Sequence, residues 1–460
     1  MLDTHFTVIS PVDGTKYLSR PFAQAKEIET KLAAARRAAK TWAQTPIPER
    51  TNLVLSFSDE MKKRSKGLAE AVTWQIGRPL WQADETERLV TVGNLLAQTA
   101  EEALREKQFS KEDDIRRFTR AVPSGLHLSI CAWNYPTAML AYLVSQPLSA
   151  GNVVILKHSP QTPVIAEIAE ESWLAAGGQE GVFQFLHLSH ADAEALVSAE
   201  VFDAINFIGS EAGGRQVHRA AGGTMTDVHL ELGGKDATYI RNDADIEGLV
   251  ADLAEGCFSN SGQSCCSVER IYVHENVKEK LTEAMVAEAH KWTIGHPLDD
   301  KPMIGPVVRE NDANRIQSQV SQAISYGAKS VYMGKTELGG AYVPPQILTD
   351  CTQEMSIMVA ELFGPVACIQ AVSSDKEAII RMNDSTYGLT AGIWTSDEER
   401  GLELLGMLDA GMVYLNRCDH ADLYLPWGGT KCSGLGRTNG LVGLSENTHL
   451  KSFHLRNLNS

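Results

Sequence analysis

The sequence predicts an α/β protein built on a parallel, doubly wound sheet, and three observations carry that prediction. Between Leu126 and Leu230, short strand-like apolar runs alternate with helical stretches, which is the pattern of strand–helix–strand units. The chain has 460 residues, more than one hydrophobic core usually organises, so two or three lobes are expected. Hydrophobic residues make up 43% of it, enough to fill large cores.

Taken in order, the first hundred residues read as helices. Ala23 to Trp42 and Glu49 to Ile76 place apolar residues at helical spacing against charged faces. A charged stretch from Phe109 to Pro123 then interrupts, with the look of a protruding hairpin. Strands are expected at Leu126–Cys131, Val153–Lys157, Val182–Leu186, Asp203–Phe207 and Asp227–Leu230. The helices between them are expected at Ala138–Ser149, Pro163–Ala175, Ala191–Ser198 and Glu211–Ala221. Sheets of this kind bind ligands at the carboxyl ends of their strands. After Leu232 a second α/β region begins, with helix expected from Asp243 to Phe258 and from Val277 to Trp292. The last fifteen residues alternate like a strand too short to fold alone. Such a strand needs a partner, and another subunit is one candidate.

Charge narrows the function classes. The net charge is −16, which repels nucleic acid and anionic lipid. No apolar run reaches the roughly 18 residues of a membrane span, and the opening MLDTHFTVIS does not read as a secretory signal. Eight cysteines occur without CxxC or zinc-finger spacing. Reduced thiols in a cytoplasm are therefore expected, with no disulfide framework and no metal site.

Three residues could carry chemistry. Cys265 lies in Asn260-Ser-Gly-Gln-Ser-Cys-Cys-Ser, where glycine and small polar residues allow a sharp turn and an accessible sulfur. A thiolate there is a strong nucleophile. Cys266 competes for the role, although adjacent side chains point apart. Glu231, in Leu230-Glu-Leu-Gly-Gly-Lys, follows a strand and could act as general base. Asn134, in Cys131-Ala-Trp-Asn-Tyr-Pro, offers amide donors to an oxyanion. No GxGxxG is present, but Ile208-Gly-Ser-Glu-Ala-Gly-Gly214 opens a helix and could hold one phosphate. Taken singly, each has an ordinary structural reading: a buried thiol, a surface glutamate, a turn asparagine, a helix start.

Together these pieces resemble the aldehyde dehydrogenase superfamily, from about Phe6 to the C-terminus. The motifs occur in order: Trp133-Asn-Tyr-Pro, Lys157-His-Ser-Pro, Phe207-Ile-Gly-Ser, Glu231-Leu-Gly-Gly-Lys, Gly262-Gln-Ser-Cys, Glu361-Leu-Phe-Gly-Pro, and Pro426-Trp-Gly-Gly with Ser433-Gly-Leu-Gly-Arg. The resemblance implies a Rossmann-type coenzyme domain (1–108 and 124–232), an α/β catalytic domain (233–432) and a small β oligomerisation flap (109–123 and 446–460). It implies NAD(P)-dependent oxidation of an aldehyde by a non-acylating enzyme acting as a homodimer or homotetramer. Cys265 would be the nucleophile and Glu231 the base for thioester hydrolysis. Asn134 and the backbone N–H of Cys265 would form the oxyanion hole. Lys157 would hold the adenosine ribose, Ser210 a phosphate and Glu361 the nicotinamide ribose, with Phe363 flanking the ring. Trp133, Ser159, Gly209, Gly214 and Leu232 would complete the cofactor site.

The chain departs from many relatives at three places. Pro160 stands where many NAD-preferring members carry a Glu that repels a 2′-phosphate, and His158 lies close by. NAD is the expected cofactor, and NADP is not excluded on charge grounds. Leu143 and Thr438 replace a Lys and a Glu thought to relay protons in some relatives, so Glu231 needs another proton route. Ile208 stands where Thr is usual. By the same comparison Tyr135, Tyr142, Ser264, Cys266, Trp427 and the Arg417–Leu425 loop line the aldehyde tunnel. In that loop Arg417 or His420 could receive a carboxylate, Asp419 and Asp422 could receive an amine, or all four could be solvated. Two rival functions remain: a CoA-acylating semialdehyde dehydrogenase, which usually lacks the glutamate, and a non-catalytic protein on the same fold.

Overall fold

The computed structural model describes residues 4–111, 114–299 and 301–457. The expected domain ranges also include residues 1–3, 112, 113, 300 and 458–460, which lie outside the described residues.

The chain opens with an antiparallel hairpin, β1 (His5–Ile9) and β2 (Lys16–Pro21), where helix was expected. The missed signal is Asp13-Gly14, a turn dipeptide between alternating apolar residues; Gly14 takes φ 74°. Helices α1 (Ala25–Trp42), α2 (Ile47–Lys63), α3 (Ser65–Ile76) and α4 (Thr86–Ala103) follow. The single helix expected over Glu49–Ile76 is two, because Arg64 leaves helical geometry at φ −100°, ψ 10°.

Next come β3 (Lys107–Lys111) and β4 (Ile115–Pro123), an antiparallel pair. The first large sheet is then laid down as β5 (Leu126–Ile130), β6 (Val153–Lys157), β7 (Phe183–Phe185), β8 (Ala204–Ile208) and β9 (Asp227–Glu231). Its helices are α5 (Gln146–Ala150), α6 (Pro163–Ala175), α7 (His190–Ser198) and α8 (Glu211–Ala221). These strands lie parallel in the order β9-β8-β5-β6-β7. Strands β5, β6 and β8 are buried along their whole length, as covered parallel strands must be. The connection direction reverses at β5, so a crevice opens at the carboxyl ends beside it.

The helix expected over Ala138–Ser149 forms from Leu140 onward, but with a widened turn inside it. A single π-turn spans Ala141–Ser145 and leads into α5. Pro147 is the cause: it has no N–H for the carbonyl four residues back and its ring crowds that turn. The released Leu143 carbonyl accepts the Ser129 hydroxyl at 2.6 Å instead.

The second large sheet uses β10 (Asp236–Ile240), β11 (Val268–His274), β12 (Lys329–Met333), β13 (Gln346–Thr349) and β14 (Val366–Val372). After the two-residue β15 (Tyr387–Gly388), it adds β16 (Thr390–Trp394) and β17 (Met412–Leu415). The order is β12-β13-β14-β11-β10-β16-β17, and only β12 runs antiparallel. Helix α9 (Ile246–Phe258) packs on it, and α10 begins at Lys278 and ends at Ala289. Strand β18 (Thr430–Lys431) pairs with β15, and β19 (Gly434–Leu435) adds an antiparallel edge to β9. The chain thus returns from the second lobe to fasten the strand that carries Glu231. The terminal strand β20 (Thr448–Arg456) pairs with β4 of the same chain across nine residues, giving a three-stranded sheet β20-β4-β3. Phe118 and Phe453 stack across it at 4.6 Å.

Candidate active site

The crevice beside β5 is a groove of about 1310 Å³. Its floor is Ile130–Trp133 after β5, Lys157 and Ser159–Gln161 after β6, and Phe207–Ser210 after β8. The β1–β2 turn forms one wall, and Val308–Asn311 with Leu338–Tyr342 form another. Of the expected cofactor residues, Trp133, Lys157, Ser159, Gly209 and Ser210 line this groove. Gly214 and Leu232 instead pack against each other: a Cβ on Gly214 would stand 2.4 Å from Leu232.

Lys157 is 3% exposed, and burial pulls its ammonium down to about 8. No partner for its Nζ occurs among the described residues, so a ligand oxygen would relieve a real desolvation cost. Ser210 caps α8, its hydroxyl accepting from Gly213 N at 3.3 Å. The amides of that first turn face the groove end, where phosphate is favoured. His158 does not face the groove. Its Nε2 lies 3.1 Å from Pro136 O and its Nδ1 3.0 Å from Thr162 Oγ1, and burial lowers it to about 4. It locks the loop after β6 rather than serving a phosphate.

Where the groove ends at Trp133, the next residue turns to the cysteine. Asn134 is 4% exposed and donates its amide to Gln263 O at 3.1 Å. One N–H of that amide is spent there and a second remains. Asn260, Ser261 and Gly262 take φ 52°, 59° and 70°. Three successive left-handed residues are costly unless the surroundings dictate them. Asn260 Nδ2 donates to Asn134 O and to Gln263 O, Ser261 Oγ to Gly305 O, and Val308 N to Gln263 Oε1. At Gly262 a Cβ would lie 2.2 Å from Gly364 O, so only glycine fits.

The turn delivers Cys265 half-buried and Cys266 7% exposed. The Cys266 thiol is pushed well up by its contact with Cys265, then by burial and Asp419, and it donates to Asp419 Oδ1 at 2.9 Å. Cys266 is thereby held as a neutral donor, and Cys265 is the more accessible of the two sulfurs. Ser264 Oγ donates to the same Asp419 oxygen at 3.2 Å. Burial raises the Asp419 carboxyl to about 6.

The residues expected to line an aldehyde tunnel are placed as follows. The Arg78 guanidinium stacks over Tyr135 at 4.8 Å and pairs with buried Glu85, which accepts Thr137 and Ala138 N–H at 2.9 Å. Tyr142 accepts from Arg88 at 2.7 Å. Trp427 is buried with Cys266 and Tyr414 in one apolar cluster that Cys265 packs against. Arg417 is exposed, and His420 offers its backbone oxygen to Tyr414. Of the four polar loop residues, Asp419 is the one that touches the cysteine turn.

Glu361 and Phe363 sit on the far side. Gly234 N donates to Glu361 at 3.3 Å, and burial, aided by Glu269, raises the Glu361 carboxyl to about 7. Phe363, at φ 53°, packs edge-on to Trp133 at 5.6 Å. Glu269 holds this segment in place. It accepts Leu362 N at 2.8 Å and Phe363 N at 2.8 Å, and it pairs with Lys235. Glu269 was not singled out in the sequence. A Glu-Arg dipeptide inside an apolar strand is the signal that could have found it, since unpaired charges do not sit in covered strands.

Glu231 ends β9 with Oε1 buried and without a hydrogen-bond partner among the described residues. Burial raises its carboxyl to about 7, with Thr438, Arg437 and Trp427 pulling it partly back. A carboxyl raised to that range is suited to exchange protons at neutral pH.

The model of the aldehyde dehydrogenase family matches residues 2–453. The chain belongs to the aldehyde dehydrogenase family. It is 32% identical to the succinate-semialdehyde dehydrogenase [NADP(+)] of Deinococcus radiodurans, over 97% of this chain and 94% of that one. It is 30% identical to the betaine aldehyde dehydrogenase of Brucella anthropi, over 97% and 93%. Among solved structures it matches an aldehyde dehydrogenase from Brucella melitensis biovar abortus 2308 with TM-score 0.93 at 28% identity, covering 99% and 94%. It also matches the betaine aldehyde dehydrogenase of Staphylococcus aureus in complex with NAD+, with TM-score 0.92 at 26% identity, covering 99% and 93%. The family's general activity is oxidation of an aldehyde, and the α/β fold agrees with the sequence expectation. No helix among the described residues is long and apolar enough to cross a membrane. No group of three or more metal-ligating side chains occurs among them either.

Proposed function

We propose that the chain oxidises an aldehyde to a free carboxylate with NAD or NADP, through a thiohemiacetal and then a thioester on Cys265. The supporting observation is the rigid left-handed turn at Asn260–Gly262, which is bonded to Asn134 and presents the accessible Cys265.

The Cys265 thiolate attacks the carbonyl carbon. The resulting oxyanion is held by the second Asn134 N–H and the Cys265 backbone N–H, which stabilise charge only as it develops. A nicotinamide, when bound, supplies the hydride acceptor. Lys157 would hold the adenosine ribose, Ser210 and the α8 amides a phosphate, and Glu361 the nicotinamide ribose, with Phe363 against the ring. Glu231 then takes a proton from water as the water oxygen attacks the thioester. The C–S bond breaks and Cys265 leaves as thiolate. Pro160 brings no carboxylate to its own place in the groove, so a 2′-phosphate meets no repulsion from that position; relatives of both cofactor types fit this. The sheet β20-β4-β3 is read as a flap that joins subunits into a dimer or tetramer, and solution mass at micromolar concentration tests it.

The function is tested with aliphatic, aromatic, amino and carboxy aldehydes, each with NAD and with NADP. Reduced cofactor and free acid should form with at least one aldehyde, and Cys265→Ala should abolish both. Acyl-CoA as the product would support the acylating reading. Cofactor binding without any turnover would support a non-catalytic role.

A further inference from the structure

Behind Glu231 lies a small cavity of about 20 Å³, room for roughly one water. It is lined by Tyr142, Leu143, Asn206, His229, Glu231 and Thr438, with Leu435, Gly436 and Arg437 along one side. Glu231 Oε1 and Thr438 Oγ1 are buried without a hydrogen-bond partner among the described residues. A polar cavity with two such atoms is suited to hold a water that bonds both. The side chains at Leu143 and Thr438 carry no ionisable group, so neither can take a proton from Glu231.

His229 can. It lies two residues before Glu231 on β9, so both side chains stand on the same face of the strand. Its ring lines the cavity, and its Nδ1 lies 3.7 Å from Glu446 Oε2. The two imidazole nitrogens lie on different edges of the ring, so one can receive while the other gives. Exposure rises along this line, from 20% for the His229 side chain to 37% for Glu446.

We infer that the proton Glu231 takes from the hydrolytic water leaves through this cavity to His229, and from there to Glu446 and solvent. This rests on Glu231 being the base. The Glu231 O–H bond breaks as its proton passes to the cavity water. That water gives a proton to one His229 nitrogen, and the imidazolium releases the proton on its other nitrogen to the Glu446 carboxylate. One proton moves, no electrons move, and Glu231 is ionised again. Burial holds His229 below its ordinary value, with Glu446 and Asp227 opposing. It is therefore neutral at pH 7 and able to accept. The other charged or titratable groups around it are His127, His449 and Arg437, and Asn206 faces it in register on β8.

The test uses 4-nitrophenyl acetate, which acylates Cys265 without cofactor or aldehyde. The decay of the acetyl-enzyme is followed by intact mass after excess ester is removed. His229→Gln should leave the nitrophenolate burst unchanged and slow acetyl-enzyme decay about tenfold, a part of what acid–base transfer usually contributes. Added imidazole should restore the rate. Unchanged decay overturns the proposal, and so does slower decay that imidazole does not restore, which marks a structural role. Glu446→Gln, on the surface, gives the same reading if the first variant does not fold: slower decay restored by imidazole supports the route, and wild-type decay overturns it. Glu231→Gln run beside them separates the two levels. If it decays at the wild-type rate, Glu231 is not the base. If it stalls while His229→Gln does not slow, only the route is wrong.

Discussion

Glu269→Gln tests whether a buried ion pair sets the nicotinamide side of the site. The Lys235 side chain is 0% exposed and the Glu269 side chain 3%. Removing only the negative charge leaves a buried ammonium without a counter-ion, which costs about 3–5 kcal/mol. Glutamine keeps one carbonyl oxygen, so one of the Leu362 and Phe363 amides loses its acceptor, adding about 1–3 kcal/mol. Together these predict a loss of roughly 4–8 kcal/mol, read from the urea midpoint followed by tryptophan fluorescence. Because Leu362 and Phe363 flank Glu361, the KM for the dinucleotide should rise more than the KM for aldehyde. Glu361 should also ionise more readily, since Glu269 is one of the groups that raises it. A destabilisation below about 1 kcal/mol, the worth of an exposed pair, with unchanged KM would refute the reasoning.

Other outcomes follow from the same geometry. Asn134→Ala should lower kcat about 10²–10³-fold with little change in KM, as loss of an oxyanion donor does; steady-state kinetics checks it. As the proposed base Glu231 acts only when ionised, and burial raises its carboxyl to about 7, so acyl-enzyme hydrolysis should fall about tenfold per pH unit below that and level off above it. Its raised value also means that the stability it contributes is present below the unfolded glutamate range and lost as pH rises through about 7; Glu231→Gln should flatten that part of the urea-midpoint profile. Gly262→Ala meets Gly364 O at 2.2 Å with φ 70°, and should give an inactive, destabilised protein by thermal melting and assay. Pro160→Glu should raise the KM for NADP while sparing NAD, because a carboxylate in the groove repels the 2′-phosphate.

Short-range chemistry was legible in the sequence because it is written in consecutive residues. The Gly262-Gln-Ser-Cys turn, the Ser210 cap and the run of strands from Leu126 to Glu231 each depend on local backbone preference. The expectations that failed were local too, but the deciding signal was a single residue. Asp13-Gly14 makes a hairpin ahead of the helices, and Pro147 widens one turn of an otherwise expected helix into a π-turn. Arg64 breaks a periodic stretch that reads as continuous.

By itself, then, the sequence determined the fold class and which short segments carry a thiol, a carboxylate and an amide, since glycine geometry and apolar periodicity act over a few residues. Only the tertiary structure decided which groups meet from distant parts of the chain. It set Asn134 on the cysteine turn, Glu269 under Phe363, and β19 beside Glu231. It turned His158 away from the groove and placed His229 on the cavity behind Glu231. The reason is physical: burial and pairing fix a charge's behaviour, and both are set by neighbours that the chain brings together only when it folds.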